Sequence, residues 1–143
     1  MTQDNKELLL RYICAMLSYG LMCQVDVGAA GFDDGKLEEI DIPNERVRFA
    51  DDGYWDADID DVKPYLRPLT SMTTEEEYEF HQIMKRNSDK SLSLMDYNDH
   101  LQQLSFFIIV GVEIVDWLNK HHFDYYGLIE KGLALEAPKG MYK

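Results

Sequence analysis

The chain has 143 residues, of which 45% are hydrophobic, and its 27 acidic against 14 basic side chains give a net charge of -13 and a pI near 4.5. This length and composition are typical of a folded protein and exclude general disorder, and we expect a single domain over residues 1–143. Such a negative surface repels phosphate and anionic lipid, which argues against nucleic-acid and membrane partners and favours a basic protein.

Apolar residues recur at intervals of three and four near the start of the chain, which predicts a helix over residues 5–17 with Gly20 close to its end. The only cysteines, Cys14 and Cys23, lie among apolar residues and are too few for a disulfide framework. We expect both thiols to be reduced and buried, which favours a cytoplasmic location. The N-terminus lacks the basic region of a signal peptide, and no apolar run reaches the ~20 residues that a bilayer requires.

Short β-branched and aromatic runs separated by turn residues predict an antiparallel meander over residues 21–62. The expected strands cover residues 21–27, 36–42, 45–50 and 55–62, with a long hairpin loop over 28–35. The proline-containing segment 63–68 is expected to end the sheet, because proline cannot donate to a ladder. The pattern is typical of a small antiparallel twisted sheet or an SH3-like half-barrel of about four strands.

A second helix is predicted over residues 73–86, because Thr73 and Glu76 can form a reciprocal capping box at its start. Residues 94–110 are compatible with either a helix or a buried strand, whereas residues 111–121 favour a helix. The apolar residues of 123–143 predict an ordered extension packed over the core. The fold class is therefore α+β.

Acidic residues are concentrated between positions 26 and 61. This segment contains thirteen of them, and its only basic residues are Lys36, Arg46 and Arg48. This concentration is typical of a solvated surface, and it is also what a docking surface for a basic protein requires. The residues that we predict to bind such a partner are Asp51, Asp52, Asp56, Asp58, Asp60 and Asp61.

Two patterns that resemble metal sites fail on spacing. Residues 56–61 resemble the opening of a calcium loop, but Asp61 stands at the glycine position and Arg67 at the closing glutamate position. The neighbours His121 and His122 project about 100° apart on a helix, which does not suit a ligand pair. No nucleophile elbow, phosphate-binding loop, CxxC or HExxH pattern occurs. The sequence therefore predicts no catalytic, cofactor-binding or metal-ligating residues and favours a non-enzymatic binding protein.

Other functions remain open from the sequence. The acidic strands could imitate the phosphates of DNA, which would require carboxylates arrayed without arginine partners. A metal-dependent hydrolase would use His122 and Asp124. A small barrel that binds nucleic acid would use a local basic patch formed by Lys63, Arg67, Lys85 and Arg86.

Three segments carry a resemblance to a known family: residues 61–73, which precede an acidic helix, residues 116–134, and the opening segment 8–25. In these segments the chain resembles small uncharacterised proteins encoded in phages, prophages and related mobile elements of gut bacteria. The resemblance implies an accessory protein of a mobile element, and the family supplies no assigned activity, cofactor or catalytic residue.

Overall fold

The computed structural model describes residues 1–50, 54–95 and 111–142. Asp51 and Asp52 lie outside this part of the chain, as does most of the ambiguous segment 94–110. Two compact units are distinguished, one formed by Met1–Pro68 with Asn119–Lys143 and the other by Leu69–Leu118. The assignment of a single domain stays a prediction.

The first helix, α1, covers Gln3–Met16, close to the predicted bounds. The Thr2 side chain accepts a hydrogen bond from the Asn5 N–H at 3.2 Å and so caps the helix. A short 3₁₀ turn follows, and Gly20 ends it at φ 72°, in the left-handed region that glycine tolerates best. Both cysteines are free thiols, but only Cys23 is buried, so the prediction that Cys14 is also buried was wrong. Cys14 lies on the solvent side of α1.

Six strands form one sheet, and α1 together with this sheet confirms the predicted α+β class. The order across the sheet is β4-β3-β2-β1-β5-β6. All neighbouring pairs are antiparallel except β5 and β6, which are parallel. The bounds are β1 Met22–Asp26, β2 Phe32–Asp41, β3 Arg46–Ala50, β4 Tyr54–Asp58, β5 Val62–Leu66 and β6 Leu135–Glu136.

Two predicted boundaries in the meander were wrong. The loop expected over 28–35 is much shorter, because the 3₁₀ turn Gly28–Ala30 already reverses the chain and β2 begins at Phe32. The strand expected over 55–62 is interrupted by a second 3₁₀ turn, Ile59–Asp61. The Asp58 carboxylate accepts the Asp60 N–H at 3.1 Å, an aspartate turn that competes with extended backbone.

The prediction that Pro64 ends the sheet was also wrong, since Pro64 lies within β5 and pairs with Cys23 of β1. The backbone of Leu66 faces β6, because its carbonyl accepts the Ala137 N–H at 2.7 Å. Successive residues of a strand direct their N–H and C=O groups to opposite edges. Pro64, two residues before Leu66, therefore also directs its backbone groups away from β1. Pairing with β6 begins only at Tyr65. The missing N–H of the proline therefore lies where no ladder bond is needed.

The hydrophobic core lies between α1, one face of the sheet, called here the inner face, and the C-terminal segment. Buried side chains of α1, including Leu9 and Ile13, meet Phe49, Val62 and Leu128, all of which are almost completely inaccessible to solvent. Burial of side chains of this size contributes about 1.5–3 kcal/mol each. The inner face is thus occupied, and the opposite face of the sheet, called the outer face, carries the polar side chains.

The second unit contains α2, which covers Thr74–Met95. Residues 111–120 form a further helix, called α3, of which residues 111–118 belong to this unit. The predicted capping box is confirmed, since Glu76 accepts the Thr73 N–H at 3.0 Å and Thr73 accepts the Glu76 N–H at 3.2 Å. The predicted end at residue 86 was wrong, because residues 87–93 are mostly polar but residues 87–95 contain no glycine or proline to stop a helix. None of the helices in the described ranges is long and apolar enough to cross a bilayer.

The C-terminal segment follows the edge of β5. Arg67 donates its N–H to the His122 carbonyl and accepts the Asp124 N–H, both at 2.8 Å, before the chain returns at β6. Phe123, Leu128 and Leu133 are buried. These contacts confirm the predicted ordered extension.

Candidate interaction surface

The outer face of the sheet carries two rows of charged side chains that run across β2, β3 and β4. Directly paired residues place their side chains on the same face, so the register sets the members of each row. In both rows the middle position, on β3, is an arginine and the flanking positions are acidic. These two charge rows are Glu39-Arg48-Asp56 and Asp41-Arg46-Asp58.

Arg48 holds the first charge row together. Its guanidinium contacts Glu39 and Asp56, each at 3.0 Å. All three side chains are about half exposed, and pairs in such positions contribute only about 0–1 kcal/mol. A shallow depression of about 60 Å³ lies along the rows, far below the volume that encloses a small-molecule ligand. The surface suits contact with a macromolecule.

The acidic residues predicted to bind a partner have different environments. Asp56 and Asp58 lie in the charge rows on β4, and Asp58 also accepts the Asp60 N–H. Asp60 turns instead towards α1, where Lys6 contacts it at 2.9 Å and the N-terminal ammonium at 3.7 Å. Asp61 is exposed. The structure thus does not place Asp60 on the strand face with Asp56 and Asp58.

Lys6 forms a cluster with Asp60 and Glu45, called here the Lys6 cluster. Ion pairing in this cluster shifts the pKa values of all three residues. Hydrogen bonding to Asp60, and then to Glu45, raises the pKa of Lys6. The hydrogen bond from Lys6 lowers the pKa of Asp60, and the hydrogen bond from Gln3, followed by that from Lys6, lowers the pKa of Glu45. Asp60 is exposed, whereas Lys6 and Glu45 are partly buried, with 19% and 28% of their side chains exposed. The Lys6 cluster therefore links α1 to the two turns of the sheet that contain Glu45 and Asp60.

An apolar projection at the turn between β1 and β2 was missed by the sequence reasoning. Phe32 is 67% exposed and Val27 41% exposed. Asp26 and Asp33 border them, and neither forms an ion pair within the described residues. An aromatic residue next to a glycine- and alanine-rich turn was the available signal, because such a turn cannot bury it.

A buried polar arrangement around His122 was also missed. His122 is only 5% exposed, adopts φ 60° and bonds the Tyr19 carbonyl through Nε2 at 2.7 Å. Its ring stacks on Tyr142 with centroids 3.6 Å apart. Burial lowers the pKa of His122, and its Nδ1 has no hydrogen-bond partner among the described residues. The Tyr142 hydroxyl accepts the Met22 N–H at 3.0 Å and donates to the Tyr65 carbonyl at 2.8 Å.

The residues of the metal hypothesis are used structurally. Both carboxylate oxygens of Asp124 accept backbone N–H groups, from Leu128 at 2.8 Å and Ile129 at 3.0 Å. His122 bonds Tyr19. Within the described ranges, no three His, Cys, Asp or Glu side chains are placed to hold a metal ion.

The basic residues of the nucleic-acid hypothesis also have local roles. The Arg67 guanidinium lies 4.3 Å from the centre of the Phe123 ring, and Lys63 pairs across strands with Gln24 on the outer face. Arg86 forms an ion pair with Glu113 in the second unit. DNA mimicry required carboxylates without arginine partners, and the contact between Arg48 and Asp56 argues against it.

Comparison of the chain with protein-family models, with curated proteins and with solved structures found no match.

Proposed function

We propose that this chain is a non-enzymatic accessory protein that binds a basic partner protein through the outer face of its sheet. The observation that carries the proposal is the arrangement of the charge rows, in which arginines lie only on β3 and carboxylates lie on both sides of them. The terminal charges of each row, on β2 and on β4, are therefore negative. A basic surface would therefore be attracted over several ångströms and oriented as it approaches.

Further acidic residues around the charge rows support this choice of partner. Glu38 is exposed on β2 and forms no ion pair within the described residues. The apolar projection of Val27 and Phe32 lies at the turn that leads into the same strand, bordered by Asp26 and Asp33. Protein interfaces commonly combine a desolvated aromatic side chain with a charged rim.

The setting proposed for this activity is a phage, prophage or related mobile element. The resemblance of residues 61–73 and 116–134 to proteins of such elements supports it. A small binding protein can act there by occupying a basic surface of a host or phage protein.

Affinity capture from a bacterial lysate at low and high salt tests the proposal, with bound proteins identified by mass spectrometry. We expect a basic protein to be retained at about 50 mM salt and released at about 500 mM, where the Debye length falls to a few ångströms. The double variant Asp56→Asn with Asp58→Asn should retain less of it. Asparagine keeps the side-chain oxygen that accepts the Asp60 N–H, so the turn after β4 is preserved.

The matched control is Glu130→Gln with Glu136→Gln, which removes the same charge from exposed positions away from the charge rows. Asp60 is a poor probe, because its loss would break the contacts with Lys6 and the N-terminus. Failure to retain any partner would contradict the proposal, as would a partner indifferent to salt and equally retained by both double variants.

A further inference from the structure

The outer edge of β4 is open within the described residues. Among the described strands β4 is the last of the sheet, and it pairs there only with β3. An unpaired edge exposes a row of backbone N–H and C=O groups that an extended chain can bind.

The register shows which backbone groups face outward. The Ile59 N–H donates to the Glu45 carbonyl at 2.9 Å, so the backbone of Ile59 faces β3. These two residues continue the pairing of Arg46 with Asp58 and of Val47 with Ala57. Because backbone direction alternates, Ala57 also faces β3, and both Asp56 and Asp58 direct their N–H and C=O groups towards the open edge.

The same two residues end the charge rows. Along each row the charge alternates from acid on β2 to arginine on β3 to acid on β4. A strand added beyond β4 would continue this alternation if it placed cations beside Asp56 and Asp58. The residue between those cations would lie beside Ala57, which is buried on the inner face at 7% exposure. That position favours a small or apolar side chain.

We propose that β4 binds an extended basic segment of the partner as a seventh strand, with lysine or arginine at two alternate positions and an apolar residue between them. This inference rests on the proposed function and specifies how the partner is held. Backbone hydrogen bonds to Asp56 and Asp58 provide affinity, and the carboxylates of the same residues select the cations.

A second copy of this chain does not fit the same edge. Symmetric antiparallel pairing of two β4 strands would set Asp56 and Asp58 of one copy beside those of the other. Like charges directly opposite one another destabilise a sheet pair. The edge therefore rejects self-association while it accepts a basic strand.

Two synthetic peptides of the same composition test the inference by fluorescence anisotropy. One has the order Ser-Thr-Lys-Val-Lys-Thr-Ser, and the other places the two lysines next to each other as Ser-Val-Lys-Lys-Thr-Thr-Ser. Adjacent lysines on a strand point to opposite faces, so only the first peptide can place both beside Asp56 and Asp58. We expect the first peptide to bind about tenfold more tightly, equivalent to about 1.4 kcal/mol.

N-methylation separates strand addition from attraction of charge alone. A methyl on the backbone nitrogen of either lysine removes an N–H that faces β4 and should weaken binding about tenfold or more, whereas a methyl on the valine nitrogen faces solvent and should leave binding unchanged. Asp56→Asn with Asp58→Asn should also weaken binding, and Glu130→Gln with Glu136→Gln should not.

Equal binding of the two peptides, or equal effects of methylation at lysine and valine, would overturn strand addition. If a basic protein is still captured in a salt-dependent way, the proposed function stands without it. If neither peptide binds, strand addition fails, and loss of the captured partner as well removes the proposed function.

Discussion

At the scale of single residues, the Tyr142 hydroxyl performs a task that usually belongs to the backbone. The ladder between β1 and β5 ends at the pair Cys23 and Pro64, and the next two residues, Met22 and Tyr65, both direct their backbone groups into the gap. The hydroxyl fills that gap. Burial also raises the pKa of Tyr142, which keeps the group protonated and able to donate.

The variant Tyr142→Phe should therefore lower the free energy of unfolding by about 1–3 kcal/mol, because the Met22 N–H and the Tyr65 carbonyl lose a partner while the stack on His122 is kept. Urea denaturation followed by circular dichroism measures this. Tyr126→Phe removes the same atom from a side chain that is 55% exposed and should change stability by less than about 0.5 kcal/mol. Equal effects of the two variants would show that the hydrogen bonds of the Tyr142 hydroxyl to Met22 and Tyr65 contribute no stability.

Residue roles were predictable from the sequence where the partners lie close together in the chain. The partners of the capping box, Thr73 and Glu76, are three positions apart, and the box was predicted correctly. Tyr142 is 120 residues from Met22, and His122 is 103 residues from Tyr19, so no local pattern indicated either contact. The charge rows were predictable only in part, since the concentration of acidic residues over positions 26–61 located them but the pairing of Asp56 with Arg48 depends on register.

At the scale of secondary-structure elements, Gly35 sets how closely β2 approaches the aromatic pair on β3 and β4. A Cβ atom at Gly35 would lie 2.9 Å from Phe49 Cδ1 and 3.1 Å from Trp55 Cζ2. Phe49 is completely buried and stacks on Trp55 with centroids 4.7 Å apart, so neither ring can move aside freely. Glycine is required here for space.

Gly35→Ala should consequently destabilise the fold by about 1–3 kcal/mol, the usual cost of overpacking a core. Thermal denaturation of the Gly35→Ala variant and of the unchanged protein measures this loss of stability. Gly111→Ala adds the same methyl to a helical residue, where, beyond its neighbours in the helix backbone, the new Cβ would meet no atom of the described residues within 4 Å. This variant should leave stability unchanged or raise it by up to about 1 kcal/mol. A stable Gly35→Ala variant would mean that β2 can shift away from the aromatic pair.

The secondary-structure elements were predictable where a hydrophobic pattern within the element itself identified them. The amphipathic pattern of α1 and the alternation of β2 and β3 identified them within a few residues. The strand β6 was not predictable, because it has two residues and exists only through its parallel pairing with β5. For the same reason Pro64 was taken as the end of the sheet, since its neighbour on that side could not be known.

At the scale of the whole molecule, the net charge of -13 opposes compaction of the chain. Two like charges about 10 Å apart in water repel by about 0.4 kcal/mol, and there are many such pairs among the acidic residues. The ion pairs that salt would weaken are few in the described ranges and mostly exposed, so each contributes about 0–1 kcal/mol. Repulsion should outweigh attraction.

We therefore expect the Tm to rise as NaCl increases from about 10 to 150 mM, because the Debye length falls from about 30 to 8 Å and screens repulsion across the molecule. A gain of about 1 kcal/mol corresponds to roughly 3 °C for a chain of this size. Differential scanning calorimetry gives the shift. The double variant Glu38→Lys with Glu130→Lys carries fewer negative charges on exposed positions and should rise less. A Tm that falls over this range would show that the Lys6 cluster and the charge rows contribute more stability than the excess charge removes.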